Sequence, residues 1–199
     1  LETYGDARTA EELGMVRNNL GKAHQDKLDF STAIKYYQEA VDIFESIGAC
    51  LMRAQARENI GLIKFFQGKN GLRELKEALA VYREKENRDH EANTLFNIYS
   101  VTFDETESRQ QANELLELLA EHNIEHNIES GILFGIQPYE IRGKRKLLIF
   151  RERMQQLRVF YTDQKVPTGI GRSLLQLAKI ETVMGSLTKK RSLARQADK

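Results

Sequence analysis

The chain has 199 residues, with two prolines, one cysteine and a formal net charge of +1. This length allows one compact domain or about four to five stacked helical pairs. A single cysteine excludes an internal disulfide framework and is typical of a reducing compartment. The sequence also lacks an apolar run of about eighteen residues and a signal-peptide core. We therefore expect a cytoplasmic protein without a transmembrane segment. Because the sequence begins with leucine, we also expect a piece of a longer or processed chain.

Charge is distributed unevenly along the chain. Residues 103–141 contain nine acidic residues and one basic residue, whereas residues 142–199 contain fifteen basic and four acidic residues. Such a polarised chain can steer charged partners, or its acidic and basic segments can pair internally.

The first predicted helical pair begins near Thr9. Thr9 and Glu12 have the spacing of a capping box, in which each side chain satisfies a free backbone amide. The first helix is predicted to run from there to about Lys27. Its partner is predicted to begin at Asp29, to carry one apolar face and to end at Gly48, since glycine is a common helix stop.

Two further pairs are predicted on the same plan. The second covers about residues 50–66 and 71–84. The third is looser, with a first helix around residues 92–97 and a second helix over 112–119. These stretches are rich in residues such as Ala, Leu, Glu and Lys, which lose little rotamer freedom in a helix.

The helical pattern weakens after residue 123. Residues 131–136 are predicted as either a helix or a short buried strand, because periodicity cannot decide for so short a run. An amphipathic helix is predicted over 144–161, and Thr168 begins another helix whose turn is expected at Gly185. The predicted organisation is three helical pairs over 1–122, divergent helices over 123–186 that are basic from 142, and a basic frayed or disordered tail over 187–199.

A motif of small residues recurs in the first two pairs. Leu20-Gly21 is followed by Ala33, Tyr37 and Ala40, and Asn59-Ile60-Gly61 repeats Asn19-Leu20-Gly21 forty residues later. With these residues the chain resembles the tetratricopeptide repeat (TPR) family, and its period is similar to that of kinesin-light-chain-like and cell-polarity adaptor arrays. The resemblance implies an all-α fold, a right-handed superhelix of stacked antiparallel helix pairs (an α-solenoid). In that fold Gly21 and Gly61 would let neighbouring helices approach closely.

The resemblance also implies a binding surface. In such arrays the first helix of each pair lines a concave groove that holds a peptide segment of a partner. Asn19 and Asn59 would bond the peptide backbone, because an amide side chain both donates and accepts hydrogen bonds. Leu62, Phe65 and Phe66 would receive an apolar side chain. The expected groove residues are Arg17, Asn18, Asn19, Lys22, Gln55, Glu58, Asn59, Leu62, Phe65, Phe66, Thr94 and Ile98.

The cations near this groove would attract acidic flanks of the peptide, and Arg17, Lys22 and Arg57 are assigned to that role. The lysine clamp with which related domains grip a C-terminal carboxylate is missing, since Asn18 and Glu91 occupy two of its positions. A chaperone tail is therefore not the expected ligand. We expect a non-catalytic protein–protein interaction scaffold or adaptor, with no catalytic residues, no metal site and no cofactor.

Two other functions stay open. The chain is alternatively a regulatory TPR module of a larger multidomain protein, which senses a peptide or docks on its own missing domains. As a second alternative, residues 142–199 bind nucleic acid, through a basic cluster at Arg142, Lys144, Arg145 and Lys146 and another around Lys189. The contrasting interpretation is a solvated basic face that offsets the acidic segment, and it is favoured because RNA-binding signatures are absent.

Three smaller patterns have both a functional and a structural interpretation. An apolar patch forms either a peptide anchor or a core surface that the middle segment of the chain covers, and it consists of Leu62, Phe65, Phe66, Ile98 and Val101. Residues 122–126 match H-x-x-E-H, a zinc-peptidase pattern, but the asparagines around them favour a helix end. Cys50 stands at a helix start, where its reactivity would rise, but no partner for it is identified and a packing role is favoured.

Overall fold

The computed structural model describes residues 6–122, 124 and 126–197. Within these residues the regular structure is entirely helical, with nine α-helices, one 3₁₀ turn and no strand, which confirms the predicted all-α fold class. The helices are α1 (Ala7–Asp26), α2 (Phe30–Ser46), α3 (Cys50–Phe66), α4 (Leu72–Glu84), α5 (Arg88–Val101), α6 (Glu105–Glu121), α7 (His126–Gly135), α8 (Lys144–Asp163) and α9 (Pro167–Ala197). The chain divides into two compact units, Leu1–Val101 and Thr102–Lys199. None of the described helices is both long and apolar enough to cross a lipid bilayer.

The first unit contains α1 to α5, and each helix packs against the next one along the chain, as in a helical repeat solenoid. The tight connections reverse the chain through residues in the left-handed region of backbone space. Gly48 and Gly68 have φ of 71° and 70°, and Leu28 and Glu86 have φ of 62° and 52°. Glycine adopts this conformation without steric cost, whereas the other two residues adopt it against a preference of about 1–2 kcal/mol.

Close contact between α1 and α2 depends on two glycines of α1. A β-carbon added to Gly21 would lie 2.8 Å from the ring of Tyr37, and one added to Gly14 would lie 2.5 Å from the ring of Phe44. Both rings are fully buried in a cluster that also contains Ala33 and Ala40. Burying each large ring contributes about 1.5–3 kcal/mol, so the glycines stabilise the pair by making room for the rings.

The pair α3–α4 repeats this packing. As in the sequence, equivalent residues are forty positions apart on α1 and α3 and thirty-eight positions apart on α2 and α4. Gly61 meets Leu75, as Gly21 meets Tyr37. An ion pair repeats as well: Arg17 bonds Glu39 at 3.2 Å, and Arg57 bonds Glu77 at 3.0 Å. The two pairs are therefore built from equivalent contacts.

One predicted helix start is wrong. The helix α1 begins at Ala7, and Asp6 is its N-cap, because the Asp6 carboxylate accepts a hydrogen bond from the Thr9 amide at 2.7 Å. Thr9 therefore supplies the amide in this cap and not the capping hydroxyl. The predicted start of α2 at Asp29 and its end near Gly48 are confirmed, and the hydrogen bond from the Thr32 side chain is the main cause that lowers the pKa of Asp29 to about 2.

The second unit contains α6 to α9 and the 3₁₀ turn Pro138–Glu140. Residues 131–135 belong to α7, so this segment forms the predicted helix and not the alternative strand. The predicted amphipathic helix over 144–161 is confirmed as α8. Gly185 lies inside α9, so the turn predicted there is wrong, and the backbone stays helical to Ala197.

Long polar side chains join the elements of the second unit. Arg153 of α8 donates to the Leu119 carbonyl oxygen at 2.6 Å and pairs with Glu129 at 3.2 Å. The buried Gln176 of α9 donates to the carbonyl oxygens of Phe134 and Ile136 at 2.8 and 3.3 Å. Carbonyl groups at the end of a helix have no partner within it, so these side chains satisfy the last turns of α6 and α7.

Candidate functional site

A stripe of side chains runs along one face of α3. We use the name α3 stripe for Gln55, Asn59, Leu62 and Phe66, whose spacing of three or four residues places them on one side of the helix. Phe66 is 63% exposed, Gln55 is exposed, and Asn59 and Leu62 are half-buried. All four were predicted as groove residues, and the structure brings them together on one accessible face.

The first helix carries an equivalent stripe at the same register. We use the name α1 stripe for Met15, Asn19, Lys22 and Asp26, which stand forty residues before the members of the α3 stripe. All four are exposed, and Lys22 forms an ion pair with Asp26. The two stripes thus share an asparagine at the same position but differ in polarity, since Lys22 and Asp26 correspond to Leu62 and Phe66.

Phe65 lies beside the α3 stripe rather than in it. The side chain is half-buried, and its ring centroid is 6.2 Å from that of Phe66. Its equivalent on α1 is Gln25, whose side-chain oxygen accepts a hydrogen bond from the Tyr37 hydroxyl at 2.9 Å. Asn18 is half-buried in the position that corresponds to Glu58.

Three predicted groove residues lie in the interior of the first unit. Glu58 is 5% exposed, and Thr94 and Ile98 of α5 are fully buried. Asn97 of α5 donates to one Glu58 carboxylate oxygen at 2.8 Å, and the Tyr82 hydroxyl of α4 donates to the other at 3.4 Å. These residues join α3, α4 and α5, and in this structure none of the three presents a side chain to a peptide.

This buried cluster changes the acidity of its members. Burial raises the pKa of Glu58, and hydrogen bonds from neighbouring side chains and the nearby His90 oppose the change only in part. Burial and the neighbouring charge of Glu58 raise the pKa of Tyr82. An ionised carboxylate in the interior costs free energy even when it accepts hydrogen bonds. The sequence offers no local signal for this cluster, because it forms between three separate helices.

Two of the three cations that were predicted to attract acidic flanks form ion pairs with another helix of the first unit. Arg17 lies 5.8 Å from the Tyr36 ring centroid and pairs with Glu39, and Arg57 pairs with Glu77. Each arginine therefore faces the following helix. Arg57 and Asn59 are two positions apart, and a step of two positions turns a helix by about 200°, so Arg57 lies away from the α3 stripe.

A cavity of about 260 Å³ lies on this other side of α3, between α2, α3 and α4. Sequence reasoning did not identify it, although α3 contributes two cations to its lining and α4 contributes one cation and two carboxylates. Lys64 and Arg73 both donate to the same Glu74 carboxylate oxygen, at 2.7 and 2.9 Å. The residues that line the cavity are Gln38, Arg57, Ile60, Lys64, Arg73, Glu74 and Glu77.

The H-x-x-E-H segment does not lie on a single helix. His122 is the C-cap of α6, and α7 begins at His126. Residues 123 and 125 and the side chain of His126 lie outside the described part of the chain. The zinc-peptidase pattern requires both histidines on one helix, a turn apart, and the end of α6 at Glu121 does not meet this requirement.

The basic segment pairs in part with the acidic segment of the same unit. Lys146 bonds Glu117 at 2.6 Å, and Arg153 bonds Glu129 at 3.2 Å. Arg142, Lys144 and Arg145 are exposed. The side chain of Lys189 lies outside the described residues, as do those of its basic neighbours. Cys50 is the first residue of α3 and is half-buried with a free thiol.

No protein-family model matches this chain, and no curated protein matches it as a relative. The resemblance to the TPR family therefore rests on the sequence motif and on the equivalent packing of the first two helical pairs.

Proposed function

We propose that the first unit is a TPR-like, non-catalytic interaction module that binds a peptide segment of a partner protein along the α1 and α3 stripes. The observation that carries this proposal is the exposure of Phe66 at the end of the α3 stripe, beside the half-buried Leu62 and Phe65. Exposed aromatic rings next to other apolar side chains are typical of interaction anchors.

The asparagines supply the second part of the proposed mechanism. Asn19 and Asn59 occupy equivalent positions on α1 and α3, and neither side chain has its surface fully covered. An amide side chain donates to a peptide carbonyl group and accepts from a peptide amide, so it binds an extended segment of any sequence. Specificity would then come from the apolar side chain that contacts Leu62 and Phe66.

A double substitution tests this proposal. Asn59→Ala together with Phe66→Ala should abolish capture of the partner, while circular dichroism should show unchanged helicity. The matched control is Gln155→Ala together with Val159→Ala, which removes an exposed amide and an exposed apolar side chain from α8. The partner would be identified by crosslinking mass spectrometry of the full-length protein in its native extract. Equal capture by the double variant and the wild type would exclude the stripes as the site.

The alternative of a regulatory module uses the same stripes with a different ligand. In that case the crosslinks from the α1 and α3 stripes would lead to other domains of the same polypeptide rather than to a separate protein. Nucleic-acid binding by the basic segment is the second alternative, and its support is the exposure of Arg142, Lys144 and Arg145. That binding would weaken steeply with added salt, whereas peptide capture by the α3 stripe would not.

A further inference from the structure

The cavity between α2, α3 and α4 combines charged groups of both signs. Arg57, Lys64 and Arg73 supply three positive charges, and Glu74 and Glu77 supply two negative charges. Arg57 pairs with Glu77, while Lys64 and Arg73 share one carboxylate, so one positive charge is left uncompensated. Each cation also keeps N–H groups that its ion pair does not use, because an ammonium has three donors and a guanidinium has five. The cavity can therefore attract an anion and donate several hydrogen bonds to it.

Glu74 adds a second requirement: a ligand of this cavity must also supply a hydrogen-bond donor. Glu74 is only 6% exposed, and both Lys64 and Arg73 donate to its Oε1 atom. Its Oε2 atom is buried and has no hydrogen-bond partner among the residues that the structure describes. Although burial raises the pKa of Glu74, the hydrogen bonds from Lys64 and Arg73 outweigh it and lower the pKa, so the carboxylate is ionised at neutral pH. A buried, ionised oxygen without a donor is costly, and a ligand that brings a donor would relieve that cost.

From these two requirements we infer that the cavity is a binding site for a phosphate group, as the free ion or as a monoester, with Arg57, Lys64 and Arg73 as donors and Glu74 Oε2 as acceptor. Inorganic phosphate at neutral pH is negatively charged and carries an O–H donor, and a monoester carries one in its monoanionic form, which predominates below its second pKa of about 6. Either species meets both requirements at once. Sulfate is equally negative but has no proton at neutral pH, and it would place an oxygen lone pair against Glu74. Arg73 donates to Oε1 of this carboxylate from a side chain that is 76% exposed, so it can turn from the carboxylate toward a ligand.

The equivalent place in the first helical pair is built differently. His24 and Tyr36 occupy the positions of Lys64 and Glu74, and their rings lie 5.4 Å apart. Arg17 repeats the ion pair of Arg57 but is not among the residues that line this cavity. The phosphate site is thus a property of the second pair, and Arg17 offers an internal control for the loss of one interhelical ion pair.

Isothermal titration calorimetry of the purified chain at about pH 6, where a monoester still carries its proton in part, tests the inference with three ligands at matched ionic strength. These are inorganic phosphate, O-phosphoserine and sulfate. We expect phosphate or phosphoserine to bind at least about tenfold more tightly than sulfate, a difference of about 1.4 kcal/mol. Binding of phosphoserine as well as phosphate would identify a monoester site, and binding of phosphate alone would identify a site for the free ion. Absence of binding by both, or equal binding of sulfate, would overturn the inference.

Two variants connect the binding to these residues. Glu74→Gln replaces the acceptor by an amide that can donate, so the preference for phosphate over sulfate should disappear or reverse. If that variant loses helicity, Arg73→Ala keeps the test valid, because its exposed side chain contributes little to folding. Arg73→Ala should weaken phosphate binding at least about fivefold, since it removes a charge-assisted hydrogen bond. Arg17→Ala should bind phosphate as the wild type does, and equal weakening in both variants would exclude the cavity.

Discussion

The backbones of Gly61 and Gly71 are in direct contact. A β-carbon added to Gly71 would lie 2.0 Å from the Gly61 carbonyl oxygen, and one added to Gly61 would lie 2.9 Å from the Gly71 carbonyl oxygen. Gly71 is also the N-cap of α4 and takes the place that Ala33 has in the first pair. The start of α4 is therefore held against the middle of α3 at a distance that no other residue pair permits.

Gly71→Ala should destabilise the first unit strongly. The added methyl group overlaps backbone atoms of α3, which cannot move aside as a flexible side chain would. We expect a loss of about 3 kcal/mol or more in the free energy of unfolding, at the upper end of the cost of overpacking. Urea denaturation followed by circular dichroism measures it. Gly171→Ala, with no heavy atom within 4 Å of the added carbon, should instead stabilise α9 slightly.

Glu58→Gln should stabilise the protein at neutral pH. The folded-state pKa of Glu58 is raised above its ordinary value of 4.5, so the stability contributed by the neutral carboxyl group is present below that value and is lost as pH rises through the folded pKa. Each unit of pKa difference corresponds to about 1.4 kcal/mol. Glutamine stays neutral; its oxygen can accept from the Asn97 amide, and its NH2 group can donate to the Tyr82 hydroxyl oxygen, so that hydrogen bond is kept with its direction reversed. Denaturation at pH 7 and at low pH should show a stability gain at pH 7 that shrinks on acidification; a gain that is constant with pH would contradict this account.

Leu28→Gly should raise stability although it removes an apolar side chain. Leu28 has φ of 62° in the turn between α1 and α2 and is 74% exposed, so its side chain buries little surface. Glycine removes the steric cost of this conformation, and we expect a gain of about 0.5–1 kcal/mol after the greater flexibility of its unfolded chain is counted. Thermal denaturation measures it. Lys27→Gly, at φ of −87°, is the control and should lower the melting temperature.

Asn113→Leu should loosen the second unit around its 3₁₀ turn. The Asn113 amide donates to the carbonyl oxygens of Arg109 and Glu140, and its oxygen accepts from the Arg142 amide at 3.2 Å. Leucine leaves the Glu140 and Arg142 groups without these partners, which costs about 1–3 kcal/mol for each group that stays buried. Hydrogen exchange of the Arg142 amide should accelerate in the variant, while exchange in α3 of the first unit should not change.

Local sequence signals predicted most of the helices. Gly48 and Asp29 mark real helix ends, and Gly21 and Gly61 do lie against neighbouring helices, because turn conformation and close approach depend on residue type at one position. Leu28 escaped prediction since leucine carries no preference for a left-handed turn. Asp6 was missed because Thr9 and Glu12 offered an equally good cap three residues later.

In the candidate site, too, some features follow from the local sequence and others depend on the tertiary structure. Helical periodicity, which is a local property, was enough to place Gln55, Asn59, Leu62 and Phe66 on one face of α3. Whether a position on such a face is open or covered depends on a helix that is distant in the sequence, and only the tertiary structure decided this. Packing of α5 in the first unit buries Glu58, Thr94 and Ile98. Packing of α4 against α3 places Glu74 next to Lys64 and forms the cavity.

The sequence by itself determined the helices and their apolar faces, because these follow from backbone preference and side-chain spacing. Burial, ion pairing and acidity were decided by packing, because they depend on distances between segments that no local pattern encodes.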